Sequence, residues 1–597
     1  MQGLPNVFPG IQSFRSFLES IAYGTESDDQ AAKRETLLEY LQSQAPPSGE
    51  GDFTYLADII KTWHFAAQSN MEGLFSAVAA VLALLLGTIS SLFEFRIWGN
   101  HLCRSLLEDD QTTLFNRGLT ANKKKEHLIS PCLRLLTEIV SFDGGHAASC
   151  VFRQRGTTFN RLEIFLGMRV GAHAQHRKRP SLRETALKFL YANLRLQNPA
   201  AKVTILSLGK VVHAWIEDIT EDSPSVVFET LEVLKKDIAM GAALTVSSKS
   251  RFFSEWVLGR LATLYSYDDA NNLAESRHSV QKSTHDLLQL VCTSPGLGVL
   301  ELPNGSHGNV ESSDANVTSS SQRDIPPKGD RIIRKHVKLA SFLQTLRPHA
   351  NLLQSDLIVA IFRNTPELVS DYFHRKDSFS FDPKVTATWI GYSSFVLATV
   401  QIPASERLTL ESVNDPVPSL YATFSESILP LPLNQKVMSR CLSQSSNLVK
   451  FLALRILTAA FEKLAKVLRV CEDIQYHTDE KHYAFAWDQT ASRLTTEFCS
   501  RIPNMEVVIA QFRSCPGENV ILRESITRLL AQYYEVVPKL ALEQKLDICV
   551  AFSAALEKGS SQAEGLEEDE IRLLELEHLL FIAHRSPDMQ WFHKAGT

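Results

Sequence analysis

The chain has 597 residues, of which 44% are hydrophobic and 21% charged, with a formal net charge of −6. That length exceeds a single ordinary core, so the chain is either several domains or one elongated array, and the balance excludes both a disordered chain and a uniformly basic nucleic-acid binder. The mean hides an asymmetry, because residues 151–200 hold ten Lys/Arg against only Glu163 and Glu184.

In chain order, residues 1–51 read as a lead of two helical pieces, Ile11–Tyr23 and Ala31–Leu41, ending in the break Gln44-Ala45-Pro46-Pro47-Ser48-Gly49. A helical-repeat region is expected over 52–293. It begins with a helix over Phe53–Trp63, then an uncharged run, Leu74–Phe93 (LFSAVAAVLALLLGTISSLF), long enough to cross a membrane. Its Ala and Ser content, the flanking Glu72 and Glu94, and the lack of an orienting Lys/Arg cluster favour a buried helix enclosed by neighbours. Lys123-Lys124-Lys125 precedes a helix from Ser130-Pro131 to Ser141 and a turn at Asp143-Gly144-Gly145. Helices over Ala147–Arg155 and Thr158–Met168 lead into the loop Gly171–Arg179, the densest basic run.

Residues 180–240 show the unit from which the chain is built. Ser181-Leu182-Arg183-Glu184 is a capping box, Leu182, Ala186, Phe189 and Leu190 recur at helical spacing, and Asn198-Pro199 stops the helix. A second helix is expected over Ala201–Glu217, and a third opens at Ser223-Pro224 with proline at the first helical position. The pattern Leu182–Leu190 (LRETALKFL) returns at Leu522–Leu530 (LRESITRLL), and more loosely at Asn447–Leu457 (NLVKFLALRIL). In such a helix the basic residue can cap or bridge to a neighbouring repeat. With a period of about 40 this predicts an all-α fold, an α-solenoid of HEAT- or armadillo-like helical repeats. An irregular helical bundle is the alternative.

Helices continue over Phe252–Tyr265 and His278–Cys292. Residues 294–330, rich in Ser, Gly, Asn and Asp and without an aromatic, read as a disordered insertion or linker. Helical signals resume over 331–597, broken by prolines at Phe381-Asp382-Pro383, Ile402-Pro403 and between Asp415 and Pro432. The chain stops at Trp591-Phe592-His593-Lys594 without a polar capping repeat, so it is expected to be truncated at its C-terminus.

The chemistry is sparse. Nine cysteines with no CxxC pair, and no opening signal peptide, suit a reducing compartment. No GxSxG, P-loop or HExxH occurs, so neither an enzyme nor a cofactor is expected. His173 and His176 have ligand-like spacing without acidic or cysteine company and read as part of a basic surface, and Cys150 near His146 reads as a structural thiol. The basic segment is the one chemical signal. Arg153, Arg155, Arg161, Arg169, Arg177, Lys178, Arg179 and Arg183, with Phe152, Phe159 and Phe165 among them, have the charge density that phosphate neutralisation needs. A solvated helix face is the bland alternative. Arg177-Lys178-Arg179 with Lys123–Lys125 also resembles a nuclear-import signal.

The run His127–Met168 (HLISPCLRLLTEIVSFDGGHAASCVFRQRGTTFNRLEIFLGM), with Lys178–Arg183 and the helix to Leu196, resembles the N-terminal region of the nucleolar pre-ribosomal-associated protein 1 family, over about residues 50–420. The resemblance implies a non-enzymatic helical scaffold of early large-subunit (60S) assembly, located in the nucleus and nucleolus. It implies binding to pre-ribosomal RNA and to early assembly factors, including a DEAD-box helicase, and no membrane association. A protein-only solenoid adaptor that binds helical peptides in nuclear transport or trafficking is the competing reading, and a membrane-anchored protein is a third.

Overall fold

A computed structural model describes residues 10–23, 28–44, 54–168, 180–268, 274–300, 336–375, 380–403, 417–477, 481–544, 546–560 and 566–586. Among these residues every regular element is a helix and there is no strand. The chain divides into two units, Met1–Glu301 and Leu302–Thr597.

In the first unit, helices stack in two parallel rows. One row runs Ile11–Ala22, Glu72–Ser90, Glu126–Ser141, Leu182–Leu196, Pro224–Val233 and Ala274–Thr293, each packing on the next. The other contains Ala57–Gln68 against Asp109–Leu119, then Leu162–Leu166, Gly209–Glu217 and Glu255–Ala262. Pairs across the rows close the core, as Ala57–Gln68 does on Glu72–Ser90 and Asp109–Leu119 on Glu126–Ser141. The second unit repeats the scheme, with Leu352–Asn364, Ala387–Val400, Asn447–His477, Val520–Val536 and Leu566–Arg585 in one row. This is the architecture of an α-solenoid, in which each repeat buries its apolar face only against its neighbours. The row helices begin at Glu72, Glu126, Leu182, Pro224 and Ala274; the step from Leu182 to Pro224 matches the expected period of about 40, and the other steps are wider.

The apolar Glu72–Ser90 helix lies between the Ile11–Ala22 and Glu126–Ser141 helices, with Val78, Leu82, Leu85 and Leu86 fully buried. It ends at Ser90, and Phe93, expected inside it, stands exposed after the break. Phe14, Leu18 and Ile21 bury against this helix, so the first described helix is part of the core and not a separate lead. In Glu126–Ser141, Pro131 falls inside the helix and cannot donate to the His127 carbonyl. The Ser76 hydroxyl donates to that carbonyl at 2.6 Å, which ties the neighbouring helix to the freed acceptor.

The 180–240 unit follows the sequence closely in one place and departs in three. Ser181 Oγ accepts from the Glu184 backbone N–H at 3.1 Å, the serine half of the expected capping box, while the Glu184 carboxylate takes Lys188 Nζ at 3.0 Å. The expected Ala201–Glu217 helix is two helices, Pro199–Ser207 and Gly209–Glu217, separated at Leu208; Asn198 caps the first through the Ala201 N–H. Ser223 makes no side-chain cap, although Pro224 does take the first position. After Val233 the helix widens into a π-helical stretch, Leu234–Ala239. Residues 296–300, expected in the linker, close back on the preceding helix: Val299 N–H donates to Val291 O at 3.1 Å, and Val299 and Leu300 are buried. The rest of the 294–330 segment lies outside the described residues.

Candidate nucleic-acid interface

The basic segment divides into residues that face water and residues that hold the fold. Ala148–Arg153 and Arg155–Thr158 are two short helical turns, the first packed on the Glu126–Ser141 helix and the second on the Asp109–Leu119 helix, and Gln154 Nε2 between them donates to Leu107 O at 2.7 Å. Arg153 and Arg155 are exposed there. Arg155 lies over the Phe152 ring at 5.2 Å from its centroid, and Arg153 reaches back to Cys150 Sγ at 3.3 Å. Among the described residues neither has a carboxylate partner.

Arg161 stands in a left-handed conformation ahead of the Leu162–Leu166 helix and is half-buried. Its Nη1 donates to Thr120 O at 2.7 Å and Ala121 O at 3.0 Å. This joins the segment to the loop that carries Lys123–Lys125. Lys125 pairs with Glu72, which also receives His127 at 3.2 Å, and these two partners hold the Glu72 carboxyl below its usual range. Lys123 and Lys124 are exposed and have no carboxylate partner among the described residues. The surface thus brings Lys123 and Lys124 into one neighbourhood with Arg161, beside the turns that present Arg153 and Arg155.

Arg183 is a correction. Its side chain is 2% exposed, and its planar fork is fully used inside the protein. Nε and Nη2 hold both Asp222 oxygens at 2.7 and 2.8 Å, Nη2 also reaches Trp215 O at 3.0 Å, and Nη1 reaches Ala214 O at 2.9 Å and Leu166 O. Burial pushes the Asp222 carboxyl up, and the guanidinium beside it opposes that shift. A side chain so enclosed cannot meet a phosphate. Phe159 and Phe165 are core residues, leaving only Phe152 part-exposed for stacking. Lys188 and Arg195 are paired with Glu184 and with Glu229. Arg169, Arg177, Lys178, Arg179, His173 and His176 lie outside the described residues.

What the basic residues can do chemically is bind an anion by charge and by guanidinium forks.

The family model for the ribosome 60S biogenesis N-terminal region, Npa1, matches residues 56–392, more than half of the chain. The protein named nucleolar pre-ribosomal-associated protein 1 of Saccharomyces cerevisiae is 24% identical over 540 residues, covering 88% of this chain and 28% of its own length. The human protein of that name is 23% identical over 550 residues, covering 85% of this chain and 22% of its own. The chain therefore spans about a quarter of the length of the curated relatives it matches. Among solved structures, an engineered protein overlaps 81% of this chain and 94% of its own at 13% identity and a TM-score of 0.32. Importin beta overlaps 96% of this chain and 70% of its own at 10% identity and a TM-score of 0.23.

Proposed function

The chain belongs to the Npa1 family of ribosome 60S biogenesis proteins, and from that premise we propose that it is a non-enzymatic helical scaffold of early large-subunit assembly in the nucleolus. The observation that carries this reading is the family match across residues 56–392, which includes the exposed basic surface. In this reading Lys123, Lys124, Arg153 and Arg155 contact pre-ribosomal RNA through its phosphates, with Arg161 tying their two segments together. The basic run Arg169, Arg177, Lys178 and Arg179 extends the same contact. Early assembly factors, a DEAD-box helicase among them, are the protein partners. Arg183 is left out because it is spent on Asp222.

Two measurements test the reading. Tagged chain purified from cells should bring down large-subunit precursors and their RNA, and recovery of neither contradicts the assembly role. In solution, charge reversal at Lys123, Lys124, Arg153 and Arg155 should weaken binding to single-stranded pre-ribosomal RNA across sequences. Each lost phosphate contact should lower the salt slope by about 0.7. A folded variant with unchanged affinity and slope would remove these residues from the interface.

A further inference from the structure

A cleft of about 670 Å³ opens beside the Glu72–Ser90 helix, walled by the Ile11–Ala22, Asp28–Ser43 and Glu126–Ser141 helices. Its hollow comes from small residues on one side of the apolar helix, Ala80, Ala83 and Gly87. At Gly87 even a Cβ would stand 3.4 Å from Glu138 Oε2, so the backbone and this carboxylate approach closely.

The charges lining the cleft are not balanced among themselves. Arg15 is satisfied by Glu19 at 2.8 Å. Arg34 is half-buried, and its Nε is shielded from water without a hydrogen-bond partner. Arg134 is exposed and has no ion-pair partner among the described residues. Glu138 is half-buried and likewise unpaired, and burial raises its carboxyl above the usual range. A buried donor left without an acceptor carries its full desolvation cost, more so where charge is involved. The cleft therefore has an unfilled requirement for an acceptor at Arg34, and the Glu138 carboxylate is open to a donor.

We propose that this cleft seats a segment of a partner protein bearing an acidic side chain. The carboxylate meets Arg34 and Arg134, and an N–H of the same segment meets Glu138. The walls suit a peptide, since Ala80, Ala83, Leu84 and Leu92 offer apolar contact. At the rim stands Tyr23, 80% exposed, and next to Leu92 stands Phe93, 85% exposed. RNA is the poorer occupant, because the apolar wall of Ala80, Ala83, Leu84 and Leu92 offers a phosphate chain no partner. The cleft is separate from the basic surface proposed to meet RNA and does not depend on that proposal.

The test pans a phage-displayed library of random peptides against the whole chain, with the Arg34→Glu/Arg134→Glu chain as counter-target. Enriched peptides should share Asp or Glu within an otherwise apolar segment. Synthetic copies should lose about tenfold or more in affinity, at least about 1.4 kcal/mol, on the Arg134→Glu chain. Arg134 is exposed, so this single variant keeps the fold, which a thermal melt confirms, and its affinity for single-stranded RNA should be unchanged. Enrichment of no peptide, enrichment of neutral or basic peptides, or binding indifferent to Arg134→Glu would overturn the proposal. So would loss of RNA affinity in that variant, which would make the cleft an RNA site.

Discussion

Arg183 commits each of its five N–H groups to acceptors inside the protein, two of them to Asp222, on the stretch leading into the next helix of its row. Breaking a buried pair strands the remaining charge, so Arg183→Ala should cost about 3–5 kcal/mol, read as a fall in the denaturant midpoint at unchanged m. Lys188→Ala, which removes an exposed pair with Glu184, should stay within about 1 kcal/mol. Equal effects from the two would refute the structural role. The sequence told half of this. Counting charges over 151–200 marked the segment as basic but could not say which side chains turn inward, because a buried arginine is indistinguishable from a solvated one until its acceptors are placed. The repeat pattern held the missing hint: Arg523, in the matching position, reaches Glu575 on the following row helix at 2.5 Å and lies over Phe512. Lys463 is the reverse case. It is buried, its Nζ donates to Ser427 O at 2.8 Å with no carboxylate partner among the described residues, and burial brings its pKa down to about 7. Between that value and the ordinary 10.5 the unfolded chain binds the extra proton, so stability rises with pH across this window. Each pH unit adds up to about 1.4 kcal/mol. Lys463→Met should flatten this rise, as followed by thermal melts from neutral to alkaline pH, and an unchanged profile would contradict it.

At the scale of elements, the strongest local signals were read correctly and the breaks were not. The capping box at Ser181 and the proline after Asn198 set helix boundaries through backbone donors alone, which local sequence contains. The interior Pro131 depends on what a neighbouring helix supplies. Pro131 survives inside a helix because Ser76 satisfies the carbonyl it frees. This makes the two residues energetically coupled. Ser76→Ala should cost about 0.5–1.5 kcal/mol with Pro131 in place and much less after Pro131→Ala, which restores the helical donor; a double-mutant cycle measures the difference. Additive effects would show that water, not Ser76, satisfies the carbonyl. Close packing is equally silent in the sequence. A Cβ at Gly99 would stand 1.9 Å from Phe142 Cζ, inside a ring that is itself buried. Gly99→Ala gains about 1 kcal/mol of helix propensity yet should lose about 1–3 kcal/mol to overpacking. A net rise in melting temperature would count against that packing.

At the scale of the molecule, the solenoid was legible because each unit repeats one physical solution, an amphipathic helix buried by the helix of the next repeat. The cleft between the Ile11–Ala22 and Glu126–Ser141 helices was not, since Arg34 lies far in sequence from Arg134 and Glu138 and only stacking brings it to them. The same distinction between fold and surface gives a test of the proposed role in cells. Depletion of the protein should lower mature large subunits relative to small ones. The chain reversed at Lys123, Lys124, Arg153 and Arg155 should accumulate to the normal level yet fail to restore the ratio, because exposed charges contribute only about 0–1 kcal/mol each to folding. Arg183→Ala should also fail, but through lost protein, since several kcal/mol is a large share of the roughly 5–15 kcal/mol by which a domain is stable. Measuring protein level beside the subunit ratio separates the two. Full rescue by the charge-reversed chain would place the essential contacts elsewhere, and an unaltered subunit ratio on depletion would contradict the assembly role itself.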